Sequence, residues 1–295
     1  MKKFKSDLDK KNYKYIYLFL LPSIVIFMFF YFVPIITVFT TAFTKWDGFN
    51  PAAFSGFDNF ERMFGDQSFI ISLRNLLLWS LIAATFHVGF GVLVAFILFK
   101  KPHGWKFVRT VFMVPNVISM AAWALIYKFI FNNEMGVLNN LIRIFKPDYN
   151  IQWFYESPYA FLAVTFTWLF YAVIVTLIVM NDLMAIPLEL NEAAKIDGAT
   201  DWQITYKINL PLCRNAIGTN VICSVTARVA MFESIALTTN GGPGDDTMNL
   251  PIILIKSIMD MNYGYANAIG VIMFLFGILT LLLVNRLFRM NESVY

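Results

Sequence analysis

The 295-residue chain is 58% hydrophobic and only 14% charged, with a net charge of +4, whereas about a quarter of the residues in a soluble domain are charged. With a mean hydropathy of +0.62, this composition indicates an all-α integral membrane protein and excludes the soluble classes of protein. The two cysteines and two histidines show neither a disulfide framework nor metal-ligand spacing, so we expect no metal site and no redox chemistry.

Six segments contain the roughly 20 mainly apolar residues that a membrane-spanning helix needs. They are residues 15–41, 76–99, 107–131, 159–181, 211–232 and 265–288. Each is expected to be helical, because the bilayer core offers no partner for an unpaired backbone group. The first contains Pro22 and Pro34, which predict a kink or tilt. It is too long for a signal peptide and lacks a small-residue cleavage site, so we expect it to be retained.

Basic residues beside the spans predict the orientation of the chain, because cytoplasmic loops are enriched in Lys and Arg. The basic positions are Lys2, Lys3, Lys5, Lys10, Lys11, Lys14, Lys100, Lys101, Lys106, Arg109, Arg286 and Arg289. They predict a multi-pass membrane protein with both termini in the cytoplasm. Residues 1–14 are then a cytoplasmic segment, and residues 15–295 form a single transmembrane domain.

A polar, helix-forming segment, residues 185–212, lies between the fourth and fifth predicted spans and therefore faces the cytoplasm. Pro187 stands where a helix can begin, and Gly198 can end that helix in the left-handed conformation. Thr200 or Asp201 can then cap a second helix. The sequence predicts two short helices that meet at an angle near Gly198.

The first of these two helices has a surface suited to a protein partner. One face consists of small or modest side chains at helical spacing: Leu190, Ala193, Ala194 and Asp197. Its acidic residues Glu189, Glu192 and Asp197 are balanced only by Lys195. An ordinary amphipathic helix on the membrane surface is the alternative, but an acidic face suits a basic protein surface better than an anionic leaflet.

The same segment resembles the EAA motif of permease subunits from binding-protein-dependent ABC importers. Residues 192–198, EAAKIDG, are followed at the family's spacing by residues 208–211, INLP. TNGGP at residues 239–243 resembles the carbohydrate branch of that family, which includes the maltose and glycerol-phosphate importers. Further matches to the outside loops of that branch are WDGF at 46–49, GFDNF at 56–60 and GVLN at 136–139. The resemblance therefore covers nearly the whole chain.

This resemblance implies the type I ABC importer permease fold, with six transmembrane helices and a cytoplasmic coupling helix between spans four and five. In the family, that helix docks on an ATPase subunit, and closure of two ATPases turns the pathway from inward-facing to outward-facing. The coupling residues implied here are Glu192, Ala193, Ala194, Asp197 and Gly198. Glu192 would pair with a basic residue of the ATPase, the alanines would allow close approach, and Gly198 would set the angle.

The implied partners are a second permease subunit in a heterodimer, two ATPase subunits, an extracytoplasmic solute-binding protein and membrane lipid, without nucleic acid. The chain has no GxxxxGK[ST] loop to cradle phosphates. We therefore expect a non-catalytic transport subunit that binds no cofactor itself, with ATP and Mg on the partner ATPases.

Arg228 lies well inside the fifth predicted span, where a charged group is costly and usually functional. The resemblance places Arg228 and Met231 near substrate-contacting positions of the family. It places a patch of span four near others: Trp168, Phe170, Tyr171 and Val173. Arginine can grip a carboxylate or hydroxyls, so an acidic saccharide such as a uronate is a candidate substrate. The alternatives are an ion pair of Arg228 with Glu233 or the partner permease, and ordinary packing of the aromatic residues.

The expected function is passage of a sugar or oligosaccharide, received from the binding protein, into the cytoplasm by alternating access. An ion-coupled secondary transporter is one alternative, but it would be expected to show internal repeats and ionisable residues in several spans. A structural membrane protein would not require the motif spacing. An ABC importer permease for a non-carbohydrate solute would be expected to lack TNGGP.

Overall fold

A computed structural model describes residues 7–290, which are mostly helical, as predicted. Lys2, Lys3 and Lys5 of the basic leader lie outside the described residues. The first helix begins at Asp7, within the segment 1–14 that the sequence assigns to the cytoplasm. That assignment, and the single domain from residue 15 onward, stay predictions.

The chain forms two compact units. One contains the chain up to Met63 together with Ser257–Ile272, and the other contains Phe64–Lys256 and the chain from Met273 onward. The elements of the first unit are α1 (Asp7–Phe27), a π-helical turn (Met28–Phe32), α2 (Val33–Thr41), strands β1 (Thr44–Lys45) and β2 (Ala53–Phe54), and α3 (Asp58–Gly65), whose last two residues belong to the second unit.

The first unit has a small core beside a two-stranded hairpin. β1 and β2 pair antiparallel, with Thr44 opposite Phe54. Asn59 on α3 is buried and its Nδ2 donates to the carbonyls of Ala42 and Thr44, at 2.9 Å each. One side chain thereby joins α3 to the end of α2 and the start of the hairpin.

The second unit contains most of the helices. They are α4 (Gln67–Ile82), a π-helical turn (Ala83–His87), α5 (Val88–Phe99), α6 (Trp105–Met113), a 3-10 turn (Val114–Val117), α7 (Met120–Ile130), α8 (Val137–Arg143), α9 (Tyr159–Leu169), α10 (Val173–Ala185), α11 (Leu188–Ile196), α12 (Asp201–Ile204), a π-helical turn (Thr205–Asn209), α13 (Leu210–Leu212), α14 (Arg214–Val229) and α15 (Glu233–Ala236). Two further helices, α16 (Leu250–Met259) and α17 (Tyr263–Leu287), include residues of both units.

Within the described residues, four helical stretches are long and apolar enough to cross a membrane: Tyr15–Thr41, Gln67–Phe99, Tyr159–Ala185 and Tyr263–Leu287. α6 with its 3-10 turn and α7 form a fifth candidate, bent by 107°. These five correspond to five of the predicted spans. The remaining one, residues 211–232, contains α14, which has only 16 residues and carries Arg214 and Arg228. It is therefore not identified as a span by length and apolarity, and the six-span count stays a prediction.

Close packing of α5 on α10 depends on Gly91. A Cβ atom at Gly91 would lie 2.5 Å from Val175 Cγ1 and 3.0 Å from Ala172 Cβ. The two backbones approach closely enough for Thr176 Oγ1 to donate to the Gly91 carbonyl at 3.0 Å. By contrast, a Cβ atom at Gly89 on the same helix would have nothing within 4 Å.

We predict that Gly91→Ala lowers the unfolding temperature of the detergent-purified protein, whereas Gly89→Ala does not. Overpacking costs about 1–3 kcal/mol, and it opposes the gain of about 1 kcal/mol from replacing a helical glycine by alanine. Only the helix gain applies at Gly89. Tryptophan fluorescence during heating measures both variants, and equal unfolding temperatures would contradict close packing at Gly91.

Candidate functional site

Two breaks in the helices of the second unit border one cavity. α9 ends at Leu169 and α10 begins at Val173, while α14 ends at Val229 and α15 begins at Glu233. The cavity has a volume of about 230 Å³, and both breaks contribute to its lining. Irregular backbone at membrane depth is tolerated only where protein buries it or where it lines a water-filled cavity. The breaks therefore mark this cavity as the candidate site.

Side chains from other helices bind the backbone groups that the first break leaves unpaired. In a continuous helix, the Thr167 carbonyl would accept from the N–H of Tyr171, four residues later. That N–H instead donates to the Trp168 carbonyl at 3.0 Å. Trp123 Nε1 on α7 donates to the Thr167 carbonyl at 2.6 Å. An indole N–H has thus replaced a backbone N–H, which ties α7 to the break.

His87 binds a second backbone carbonyl of the same break, that of Leu169. It ends the π-helical turn between α4 and α5, and its Nδ1 lies 3.0 Å from the Leu169 carbonyl oxygen. A carbonyl oxygen can only accept, so this bond requires the proton on Nδ1. At the second break, the buried Asn249 donates in the same way to the Met231 carbonyl.

Arg228, in the last turn of α14, places its guanidinium over an aromatic face. Its Cζ lies 4.1 Å from the ring centroid of Trp168, well within the range of a cation–π interaction. Its Nη1 lies 3.7 Å from Met231 Sδ. No carboxylate among residues 7–290 forms an ion pair with Arg228, so the alternative of an internal pair with Glu233 is not realised.

Three polar atoms of cavity-lining residues have no hydrogen-bond partner among the described residues. They are Trp168 Nε1, Arg228 Nε and Asn220 Oδ1. A buried polar group left unpaired costs about 1–3 kcal/mol. All three atoms are enclosed by protein, so it is the guanidinium charge of Arg228 at the cavity that favours a polar ligand.

The cavity contains four of the six predicted pathway residues: Trp168, Tyr171, Arg228 and Met231. Phe170 and Val173 are not among its lining residues. The Phe170 ring packs edge-on against Phe90 with centroids 5.2 Å apart, and Val173 is 2% exposed.

The cavity-lining residues that the sequence did not predict for the pathway include His87, Trp123 and Asn220. An ionisable histidine inside an apolar span could have singled out His87. Trp123 and Asn220 carry no comparable signal, because each lies in an ordinary helical stretch. The Trp123 ring lies 5.4 Å from that of Tyr171, whose hydroxyl donates to Asn116 Oδ1 at 2.7 Å.

The polar segment 185–212 has the predicted two-helix form. α11 follows Pro187, and Gly198 adopts a left-handed φ of +82°. Thr200 caps α12 in a reciprocal arrangement, since Gln203 N donates to Thr200 Oγ1 at 3.3 Å and Thr200 N donates to Gln203 Oε1 at 2.8 Å. The sequence left Thr200 and Asp201 open as caps, and the structure selects Thr200.

The predicted coupling residues lie on an open helix surface. No residue of α11 is buried. Glu192, Ala193 and Asp197 are exposed, and Ala194 is half-buried. The apolar Ile196 is 87% exposed. α11 thus leaves the predicted coupling residues uncovered in this chain.

The chain matches the family described as binding-protein-dependent transport system inner membrane component over residues 87–292. It belongs to this family. Members are transport permease subunits and not catalytic chains, which agrees with the expected non-catalytic role. Family membership also supports a multi-pass membrane protein.

Two bacterial relatives are similar to this chain over most of its length. The probable ABC transporter permease protein YurN of Bacillus subtilis (strain 168) is 33% identical over 284 residues, covering 94% of this chain and 97% of the relative. The diacetylchitobiose uptake system permease protein NgcF of Streptomyces coelicolor is 32% identical, covering 86% of this chain and 76% of the relative.

Two solved structures share the fold. A chain from a bacterial ABC transporter involved in importing the acidic polysaccharide alginate superposes with a TM-score of 0.83 at 23% identity, covering 97% of this chain and 98% of that one. A chain from the alginate transporter in complex with an alginate pentasaccharide-bound periplasmic protein gives 0.81 at 23% identity, covering 94% and 95%. This chain thus has the fold of these two transporter chains.

We predict that Trp123→Phe destabilises the protein, because it keeps the ring but leaves the Thr167 carbonyl unpaired. The expected loss is about 1–3 kcal/mol of the free energy of unfolding. Trp202→Phe is the matched control, since that side chain is 73% exposed. Thermal unfolding in detergent measures both variants. A Trp123→Phe unfolding temperature equal to that of the control would show that the indole N–H does not stabilise the break.

Proposed function

We propose that this chain is the permease subunit of an ATP-driven importer that passes a sugar or oligosaccharide into the cytoplasm. The observation that carries the proposal is the guanidinium of Arg228 over the Trp168 ring, at a cavity bordered by two helix breaks, in a member of this family. The name of NgcF specifies diacetylchitobiose uptake, which supports a carbohydrate substrate for the present chain.

The chemistry of the cavity fits a saccharide. The aromatic rings of Trp123 and Tyr171 can stack on sugar rings, while the guanidinium of Arg228 can bind hydroxyls. The guanidinium charge, with no carboxylate paired to it in the described chain, favours an acidic saccharide such as a uronate. The fold neighbour from an alginate importer is consistent with that preference.

The volume of the cavity supports a pathway completed by a second chain. Ligand sites usually enclose about 300–1,000 Å³, and about 230 Å³ is available here. A second permease subunit in a heterodimer would enlarge the site.

The open α11 surface would dock on one of two ATPase subunits, which hold ATP and Mg, with the termini on the same cytoplasmic side. A solute-binding protein would deliver the substrate outside, and ATP-driven alternating access would release it inside.

We predict that Arg228→Gln raises the apparent KM for the transported saccharide by about tenfold to a hundredfold, because a charged hydrogen bond contributes about 1.5–3 kcal/mol. The measurement is uptake of labelled neutral and uronate-containing oligosaccharides by proteoliposomes carrying the complete transporter and its binding protein. Lys128→Gln is the control, because Lys128 is an exposed cation outside the cavity.

Two outcomes would count against the proposal in different ways. Unchanged affinity and rate for Arg228→Gln would remove this residue from the pathway. Failure of the unmodified transporter to take up any saccharide of the panel would reject the carbohydrate assignment itself.

We predict that Glu192→Lys uncouples ATP hydrolysis from uptake in an assembled transporter, because it reverses a charge at the proposed contact with the ATPase. Transport should fall at least tenfold, and substrate should no longer stimulate ATP hydrolysis. Glu189→Lys is the matched control, since Glu189 is an equally exposed acid of α11 that lies outside the EAA motif. Normal uptake by Glu192→Lys, with the complex intact, would contradict the docking role.

A further inference from the structure

A narrow groove runs between α5 and the second arm of the polar segment. One wall is a single face of α5, with Gly89, Leu93, Phe96 and Lys100 among its lining residues. The opposite wall includes Trp202 and Tyr206. The volume of the groove is about 390 Å³. From Gly89 to Lys100 the helix rises about 16 Å, so the groove extends along most of α5.

The lining of the groove along α5 is apolar except at Lys100, and the groove runs lengthwise along that helix. A single extended alkyl chain suits a long apolar groove of this kind. The length agrees with such an occupant, because it is close to half of the roughly 30 Å hydrocarbon core of a bilayer, which is one leaflet.

The two ends of the groove differ in polarity. Lys100 is exposed at one end, on the side that the basic residues assign to the cytoplasm. On the opposite wall, Trp202 and Tyr206 stack with ring centroids 6.5 Å apart and planes 9° from parallel, and such rings favour the level of the lipid headgroups. At the end away from Lys100, a Cβ atom at Gly89 would have nothing within 4 Å. The groove is thus cationic at the Lys100 end, aromatic along one wall, and apolar and open at the Gly89 end.

We propose that this groove binds one anionic phospholipid of the cytoplasmic leaflet. An acyl chain lies along α5 towards Gly89, and the phosphate lies beside Lys100. The electrostatic attraction of one lysine strengthens the binding of an anionic headgroup by about a factor of five. The bound lipid bridges α5 and the arm of the polar segment that follows Gly198. The site is separate from the Arg228 cavity, and it does not depend on which solute is transported.

Photocrosslinking in the complete transporter tests this site. The purified complex is placed in nanodiscs with a phosphatidylglycerol that carries a photoactivatable group in its acyl chain, and labelled peptides are mapped by mass spectrometry. We expect labels concentrated on the groove residues of α5 and on the 202–210 stretch. Gly89→Leu should reduce this labelling at least fivefold by filling the inner end, and Lys100→Gln should reduce it about fivefold by removing the charge.

Matched variants separate binding from misfolding. Gly89→Ala adds little volume, and Lys101→Gln removes a neighbouring charge outside the groove; both should label like the unmodified protein. Labelling spread evenly around α5, or unaffected by both Gly89→Leu and Lys100→Gln, would overturn the proposal. So would equal labelling by a zwitterionic phosphatidylcholine probe, or crosslinks from groove residues to another subunit.

Discussion

The structure depends on one constraint of the membrane interior: a backbone group freed by a broken helix needs a hydrogen-bond partner. At the first break, Trp123 and His87 donate to the carbonyls of Thr167 and Leu169. At the second break, Asn249 donates to the Met231 carbonyl. Each donor comes from a different element, so α7, the α4–α5 junction and the start of α16 are held at the breaks. The cavity exists because these side chains allow two helices to stop inside the fold.

The same arrangement explains how the fold holds Arg228. A guanidinium in a membrane protein is expected to need a carboxylate, but here the face of Trp168 lies 4.1 Å from it instead. The Trp168 ring comes from the last turn of α9 and Arg228 from the last turn of α14, so each of the two breaks lies beside one member of the pair. An arginine that is not neutralised internally is well suited to an oxygen-rich solute.

In the polar segment, residues 185–212, local signals determine where the helices begin and end. Pro187, Gly198 and the pair Thr200–Gln203 begin, end and cap its helices through contacts within a few residues. The positions of its EAA residues on α11 could be predicted for the same reason, because a short helix with fixed termini places its side chains without contacts from the rest of the chain. Its second arm also forms one wall of the groove along α5, which brings local and tertiary determinants together at one place.

The sequence by itself determined the membrane class, five of the spans, the two-helix segment and Arg228 as a residue of interest, because each rests on composition, periodicity or a terminal residue. Only the tertiary structure decided where the helices break. Residues 170–172 and 230–232 contain neither proline nor glycine, so no local signal marks the breaks, which depend on distant donors such as His87 and Trp123. It also decided that Tyr171 lines the cavity while Phe170 packs against Phe90, because contacts from other elements orient the side chains of a stretch that has no regular helical geometry.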